Sequence, residues 1–129
     1  MPEIVYDLTL SVDGIVRRIT GTQRVAAYDV VSVTLAAAAD AATPTKRTVE
    51  LLSAAGAAAV TFLLVASDPL KDVAWSVDGG ATSHALDGPH LLVGAGAVSL
   101  LVQTPKKVTL TNASTAAAAR VEILVGRDA

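Results

Sequence analysis

Cysteine is absent from this chain, and its absence excludes disulfides, thiolate metal sites and a thiol nucleophile. Aromatic residues are nearly absent. Tyr6, Tyr28, Phe62 and Trp75 make up 3% of the sequence, which leaves little to stack on nucleobases or on a sugar ring. Charge is sparse. Lysine and arginine occur as isolated pairs, Arg17-Arg18, Lys46-Arg47 and Lys106-Lys107, in a chain of net charge −2. No basic stripe marks a nucleic-acid face, so the pairs read as solvated strand ends or turns. A basic signal-peptide region is missing at the N-terminus, so no export by the general secretory route is expected. The longest apolar segment, Leu51 to Ala66, is shorter than the roughly 20 residues a spanning helix needs. It is rich in alanine, and Glu50 and Asp68-Pro69 close it. No membrane partner is expected.

What is present is apolar and small. At 129 residues and 52% hydrophobic, the chain suits a single domain, residues 1–129, with a sizeable core. Alanine, valine and leucine supply most of that core. Each buries less area than an aromatic residue, so burial against sister subunits would help.

The second half alternates short apolar runs with turn signals, the rhythm of an antiparallel β-sandwich. Strands are expected at Lys71 to Val77, Ala81 to Leu86, His90 to Val93, Ala97 to Val102, Lys107 to Thr111 and Ala116 to Val125. Asp78 to Gly80, Asp87 to Pro89, Gly94 to Gly96 and Asn112 to Ser114 form the turns. In the first half, Ile4 to Val12 alternates as a half-buried strand. Asp13-Gly14 signals a hairpin returning through Ile15 to Ile19. Gly21 suggests a turn or bulge, and Arg24 to Leu35 one long strand bent near Asp29. Ala36 to Ala42 reads as a loop or short helical turn. Thr45 to Leu51 is a strand, Ser53 to Gly56 a turn, and Ala58 to Ala66 a buried strand apolar on both faces. The competing reading makes helices of Ala36 to Ala42 and Thr48 to Ala66, because alanine favours helix. The expected fold is all-β: an antiparallel β-sandwich or jelly-roll-like barrel of roughly eight to ten strands.

Chemistry-bearing groups are few. His84, Asp87 and His90 are the one set resembling a metal site, since imidazole and carboxylate ligate divalent ions. Their spacing fits no known motif, and they also read as polar residues flanking a turn. A cupin-like site needs a third histidine, which the sequence lacks. There is no Gly-x-Ser-x-Gly elbow. Gly94 to Gly96 lacks the further glycine or Lys-Ser/Thr of a phosphate loop. Most aspartates sit at turns, where backbone hydrogen bonding accounts for them. Trp75 shares a strand face with Val73 and Val77 and reads as core. Neither an enzyme nor a cofactor is expected.

Trp75 to Gly80, together with Val108 to Asn112 and Val121 to Gly126, resembles the small all-β structural proteins of tailed-phage particles: capsid decoration, head–tail completion and tail sandwich proteins. The resemblance covers the C-terminal half. It implies a non-enzymatic particle component that works as a symmetric homo-oligomer, found in the virion after assembly in the cytoplasm. The expected partners are its own copies and a larger assembly such as a capsid or tail. Two segments are the interface candidates: Ile4 and Tyr6 in an apolar N-terminal strand without obvious cover, and Ala37, Ala39, Thr43 and Pro44 in an apolar loop. The alternative function is a carbohydrate- or peptide-binding β-sandwich module, which needs Trp75 or Tyr28 exposed in a groove. A metal-dependent enzyme centred on His84 and His90 is a third reading.

Overall fold

The computed structural model describes residues 2–40, 42–51, 59–68, 72–78, 80, 82–101 and 105–128. Alternating sequence in the first segment builds two long strands, β1 (Glu3–Val12) and β2 (Ile15–Arg24). Asp13 and Gly14 join them with φ of 49° and 79°, the two positive values of a type I′ hairpin turn. Eight more strands follow: β3 (Ala27–Leu35), β4 (Thr45–Glu50), β5 (Val60–Asp68), β6 (Val73–Val77), β7 (His84–Ala85), β8 (His90–Val93), β9 (Lys107–Asn112) and β10 (Ala119–Arg127).

These eight pair as one folded-over hairpin: β6 with β7, β5 with β8, β4 with β9, and β3 with β10. Two further pairings, β5 with β10 and β6 with β9, roll it into two four-stranded antiparallel sheets. One sheet has the order β3-β10-β5-β8 and the other β4-β9-β6-β7. This is the winding of a jelly roll, an open sandwich rather than a closed barrel. The hairpin β1–β2 is a separate two-stranded sheet, hydrogen-bonded in register to neither of the others.

The core lies between the two sheets. Leu63, Val65, Val121, Ile123 and Val33 face Val49, Val73, Trp75, Val108 and Leu110, each buried, and each such side chain contributes about 1.5–3 kcal/mol on leaving water. Two buried polar side chains tie the sandwich at its ends. Asn112 donates to the carbonyls of Leu35, Ala36 and Ala117 at 3.3, 3.2 and 3.0 Å, and its Oδ1 accepts from the Ser114 amide at 3.0 Å. Arg127 donates to the Leu51 carbonyl at 2.7 Å and forms an ion pair with Asp29.

The all-β expectation holds, and several boundaries move. Ala97 to Val102 is not a strand over its described residues. Ala95–Val98 forms a single helical turn, α1, with Ser99 to Leu101 in turns after it. Gly94, at φ 91°, swings the chain into α1 rather than closing a hairpin, and small residues follow it until Val98 plugs into the core. The expected strand from Arg24 to Leu35 is broken at Val25-Ala26, where the chain leaves one ladder for another: the Val25 amide still donates to the Pro2 carbonyl beside β1 at 3.1 Å, and the Ala26 amide donates to the Arg127 carbonyl of β10 at 2.7 Å. Gly21 is neither a turn nor a bulge, for β2 runs through it to Arg24. The last strand begins at Ala119, not Ala116. Residues 36–39 form a loop, anchored by the Ala38 amide to the Ser114 carbonyl at 2.7 Å. Neither helix of the competing reading is present among the described residues. The turn at Ser53 to Gly56, and Ala58, Pro69, Lys71, Gly79, Ala81 and Val102 at the ends of expected elements, lie outside the described residues. Among the described residues no helix is long and apolar enough to cross a membrane.

Candidate functional site

Directly opposed residues of an antiparallel pair share a face. In the hairpin, one face therefore carries Ile4, Tyr6, Leu8, Leu10 and Val12 from β1 with Ile15, Arg17, Ile19, Gly21 and Gln23 from β2. The other face carries the ion pairs. Arg18 donates to Asp7 through Nε at 3.0 Å and Nη2 at 2.5 Å, and Arg24 donates to Glu3 at 3.2 Å. The hydrogen bonds that Arg18 donates to the Asp7 carboxylate raise its guanidinium pKa above the ordinary value. Both pairs are exposed, so they sort the two faces more than they stabilise the hairpin.

The apolar face is seated on the body at its base and uncovered further out. Ile4 and Val25 reach across Gly126, where an added Cβ would stand 2.9 Å from Ile4 Cδ1 and 2.7 Å from Val25 Cγ1. Tyr6 lies over its cross-strand partner Gly21, which leaves room for the ring. Beyond these two half-buried side chains, Leu8, Leu10, Val12, Ile15 and Ile19 are exposed, Val12 to 68%. A lone two-stranded hairpin is marginal in water, which makes its apolar stripe the candidate interaction surface.

The outer surface of the β3-β10-β5-β8 sheet continues that stripe. Its register places Val30, Leu124, Leu64 and Leu91 side by side across all four strands. Val30 is 61% exposed, Leu91 is exposed, and the middle two are half-buried. The neighbouring row is Tyr28, Gly126, Phe62 and Val93. Phe62 is buried there although it lies outside the inter-sheet core, because the hairpin base with Ile4 and Val25 meets this row. The outer surface of the other sheet is polar by contrast, with Thr48, Thr109 and Ser76 in one row.

The sequence candidates fall in different places. Ile4 seats the hairpin on the body at Gly126, and half-buried Tyr6 packs on Gly21 within the hairpin, so neither belongs to its uncovered part. Ala37 and Ala39 are exposed on either side of buried Ala38. Thr43 is exposed and Pro44 half-buried beside a tight turn in which the Thr43 amide donates to the Asp40 carbonyl at 3.2 Å. The uncovered residues Leu8, Leu10, Val12, Ile15 and Ile19 and the Val30–Leu91 row lie outside the sequence candidates, although Leu8 and Leu10 share the strand face of Ile4 and Tyr6. Apolar–polar alternation was the signal, but it looks the same whether a strand faces a core or a partner.

His84 and His90 do come together, over Trp75. The Trp75 ring centroid is 5.1 Å from that of His84 and 5.7 Å from that of His90, and the Trp75 indole donates to His90 Nδ1 at 2.9 Å. A cavity of about 250 Å³ lies there, lined by these three with Leu91, Leu92 and Leu101. Asp87 lies elsewhere, in a hollow with Asp72 and Ala113. Among the described residues, no three histidine, aspartate or glutamate side chains gather as a metal set. Trp75 is 2% exposed and offers no platform to a sugar, and Tyr28 is 53% exposed on the outer sheet face. No protein-family model, curated protein or solved structure matches the chain.

Proposed function

We propose that this protein is a non-enzymatic structural subunit of a virion or phage-like particle, acting by self-association and by docking on a larger assembly. One observation carries the reading: a hairpin whose apolar face, from Leu8 to Ile19, has no cover among the described residues. Apolar surface of that extent is stable in water when another protein covers it. The jelly-roll winding supports the reading, since it recurs in viral capsid domains, though it serves lectins and cupins as well. Three of the groups able to do chemistry are engaged in the fold. His90 accepts from Trp75, Asp78 accepts from the amides of Lys106 and Lys107, and Arg127 is buried against Leu51 and Asp29.

The test is gradient sedimentation of particles from cells producing the full chain, with solution mass measured on the purified protein. Stable oligomers and a particle-bound fraction are expected. A chain that stays monomeric at high concentration and never sediments with particles overturns the reading.

A further inference from the structure

We infer that Trp75 and His90 form an acid-released latch between the two sheets: protonation of His90 breaks their hydrogen bond and opens the cavity around Trp75 to solvent. The latch goes beyond the structural reading above and does not rest on it.

Position comes first. Trp75 on β6 is opposed in register by His84 on β7, and His90 on β8 is opposed by the core residue Val65 on β5. Opposed residues share a face, so the two imidazoles enter the space between the sheets, one from each sheet. Both are half-buried, and both meet the indole, at ring separations of 5.1 and 5.7 Å. The sandwich is weakest at this margin. β7 has two residues and β8 four, and each is the last strand of its sheet. β8 is held by four register pairs with β5, and the bond from Trp75 ties it to the opposite sheet.

The chemistry of the bond makes it sensitive to acid. An indole nitrogen only donates. It donates here to His90 Nδ1 at 2.9 Å, so that nitrogen carries a lone pair and no proton. An imidazolium has an N–H on both nitrogens and accepts nothing, whichever way the ring turns. A protonated His90 therefore sets N–H against N–H, and the buried indole loses its acceptor. Histidine is the side chain that ordinarily changes charge between about pH 5 and 8. A glutamine oxygen in the same place would accept throughout that range.

The surroundings offer the imidazolium no counter-charge. Among the described residues, no carboxylate lines the cavity, whose walls are Trp75, the two histidines and Leu91, Leu92 and Leu101. β5 presents Val65, and α1 carries no titratable side chain. Asp87 lies in the separate hollow with Asp72. Asp78 shares the neighbouring cavity with His84 and Thr82, and it accepts from the amides of Lys106 and Lys107. The other titratable group at Trp75 is His84, which in acid adds a second positive charge. The sign of the effect follows. The closed latch keeps a proton off Nδ1 and the open latch admits one, so acid favours the open form, by up to about tenfold per pH unit below the imidazole's titration.

The chain has one tryptophan and two histidines, so each signal is unambiguous. The experiment measures acrylamide quenching of Trp75 in the full chain from pH 8 to pH 5, with far-UV circular dichroism alongside. Quenching is expected to rise about twofold or more in a single step between about pH 5 and 7 while the strand signal is retained. His90→Gln is expected to stay protected throughout, and His84→Gln to keep the wild-type rise. Protection that persists to pH 5 in the wild type overturns the latch. So does an equal rise in His90→Gln, or its loss in His84→Gln. Strand signal lost together with protection also overturns it, because the sandwich then opens as a whole. Two-bond proton–nitrogen NMR on the wild type keeps the test independent of how the variants fold. His90 is expected to carry its proton on Nε2 at pH 8 and on both nitrogens at pH 5, with the Trp75 indole resonance moving over the same interval. A His90 that takes up its second proton while that resonance stays fixed overturns the inference. Particle association is read by sedimentation, so failure of the latch leaves the structural reading standing.

Discussion

The indole of Trp75 and the imidazole of His90 join the two sheets across the sandwich interior. Trp75 sits on β6 and His90 on β8, and the 2.9 Å bond from Nε1 to Nδ1 fixes His90 as the tautomer with its proton on Nε2. The bond satisfies the one polar atom of the largest buried side chain in the protein. His90→Phe leaves that N–H buried without an acceptor and is expected to cost about 1–3 kcal/mol. His90→Gln, whose amide oxygen can accept, is expected to recover part of the loss. Urea unfolding followed by Trp75 fluorescence measures both, and equal stability of the two variants overturns the assignment. In the native protein the same fluorescence is expected to resist acrylamide quenching.

Asn112 performs a comparable role at the other side of the sandwich. Its amide group meets three carbonyls and one backbone amide while the residue is wholly buried. Asn112→Leu keeps the volume and strands all four partners, at an expected cost of about 2–4 kcal/mol. Asn112→Asp sets a carboxylate against those carbonyls and is expected to be worse. Thermal melts rank the two. If aspartate is tolerated as well as leucine, the hydrogen bonds donated by the two N–H groups of the Asn112 amide do not hold the loop at Ala36.

The turns and the alternating β half were legible because their signals are local. Asp13-Gly14 adopts the two positive φ values that such a pair favours, and Trp75 is in the core that its shared face with Val73 implies. The misread segment from Ala97 to Val102 shows the limit. Its apolar residues suit a strand, but Gly94 redirects the chain and tertiary packing of Val98 decides the conformation. The candidate site was half legible for a similar reason. Alternation in Ile4 to Val12 identifies an apolar face, yet what covers that face depends on strand order, which lies in pairings such as β3 with β10, nearly a hundred residues apart in places. Ile4 and Tyr6 belong to that face, but packing of Ile4 on Gly126 and of Tyr6 on Gly21 leaves them half-buried. The row Val30, Leu124, Leu64 and Leu91 comes from four separate strands, so no local pattern announces it.

Gly126 sets how the hairpin meets the body. An added methyl would stand 2.7 Å from Val25 Cγ1, 2.9 Å from Ile4 Cδ1 and 3.2 Å from the Phe62 Cβ. The Ile4 terminus is the most able to move, so Gly126→Ala is expected to lift the hairpin base without unfolding the sandwich, at about 1–3 kcal/mol. Hydrogen exchange separates the two effects. Faster exchange in β1 and β2 with unchanged protection in β5 and β10 is expected. Uniform loss across all strands instead makes Gly126 a requirement of the sandwich itself.

The uncovered part of the hairpin gives a prediction in which stability and association separate. Leu10 and Ile19 are 50% and 53% exposed on the apolar face, so charging them leaves the folded chain almost untouched. If a partner buries that face, each half-exposed side chain contributes about half of the 1.5–3 kcal/mol of full burial to association. Leu10→Glu with Ile19→Glu is then expected to raise the dissociation constant by about 10–10²-fold or more. Wild-type melting temperature is expected to rise with protein concentration, as it does whenever association stabilises the native state. The double variant's is expected not to. High salt provides an internal control. The pairs Asp7–Arg18 and Glu3–Arg24 are exposed on the opposite face, and at 1 M salt the screening length falls to about 3 Å. Apolar association persists there, whereas association through the charged face is lost. Wild-type oligomers that dissociate in high salt, or a double variant that still assembles, would move the interface off the apolar stripe.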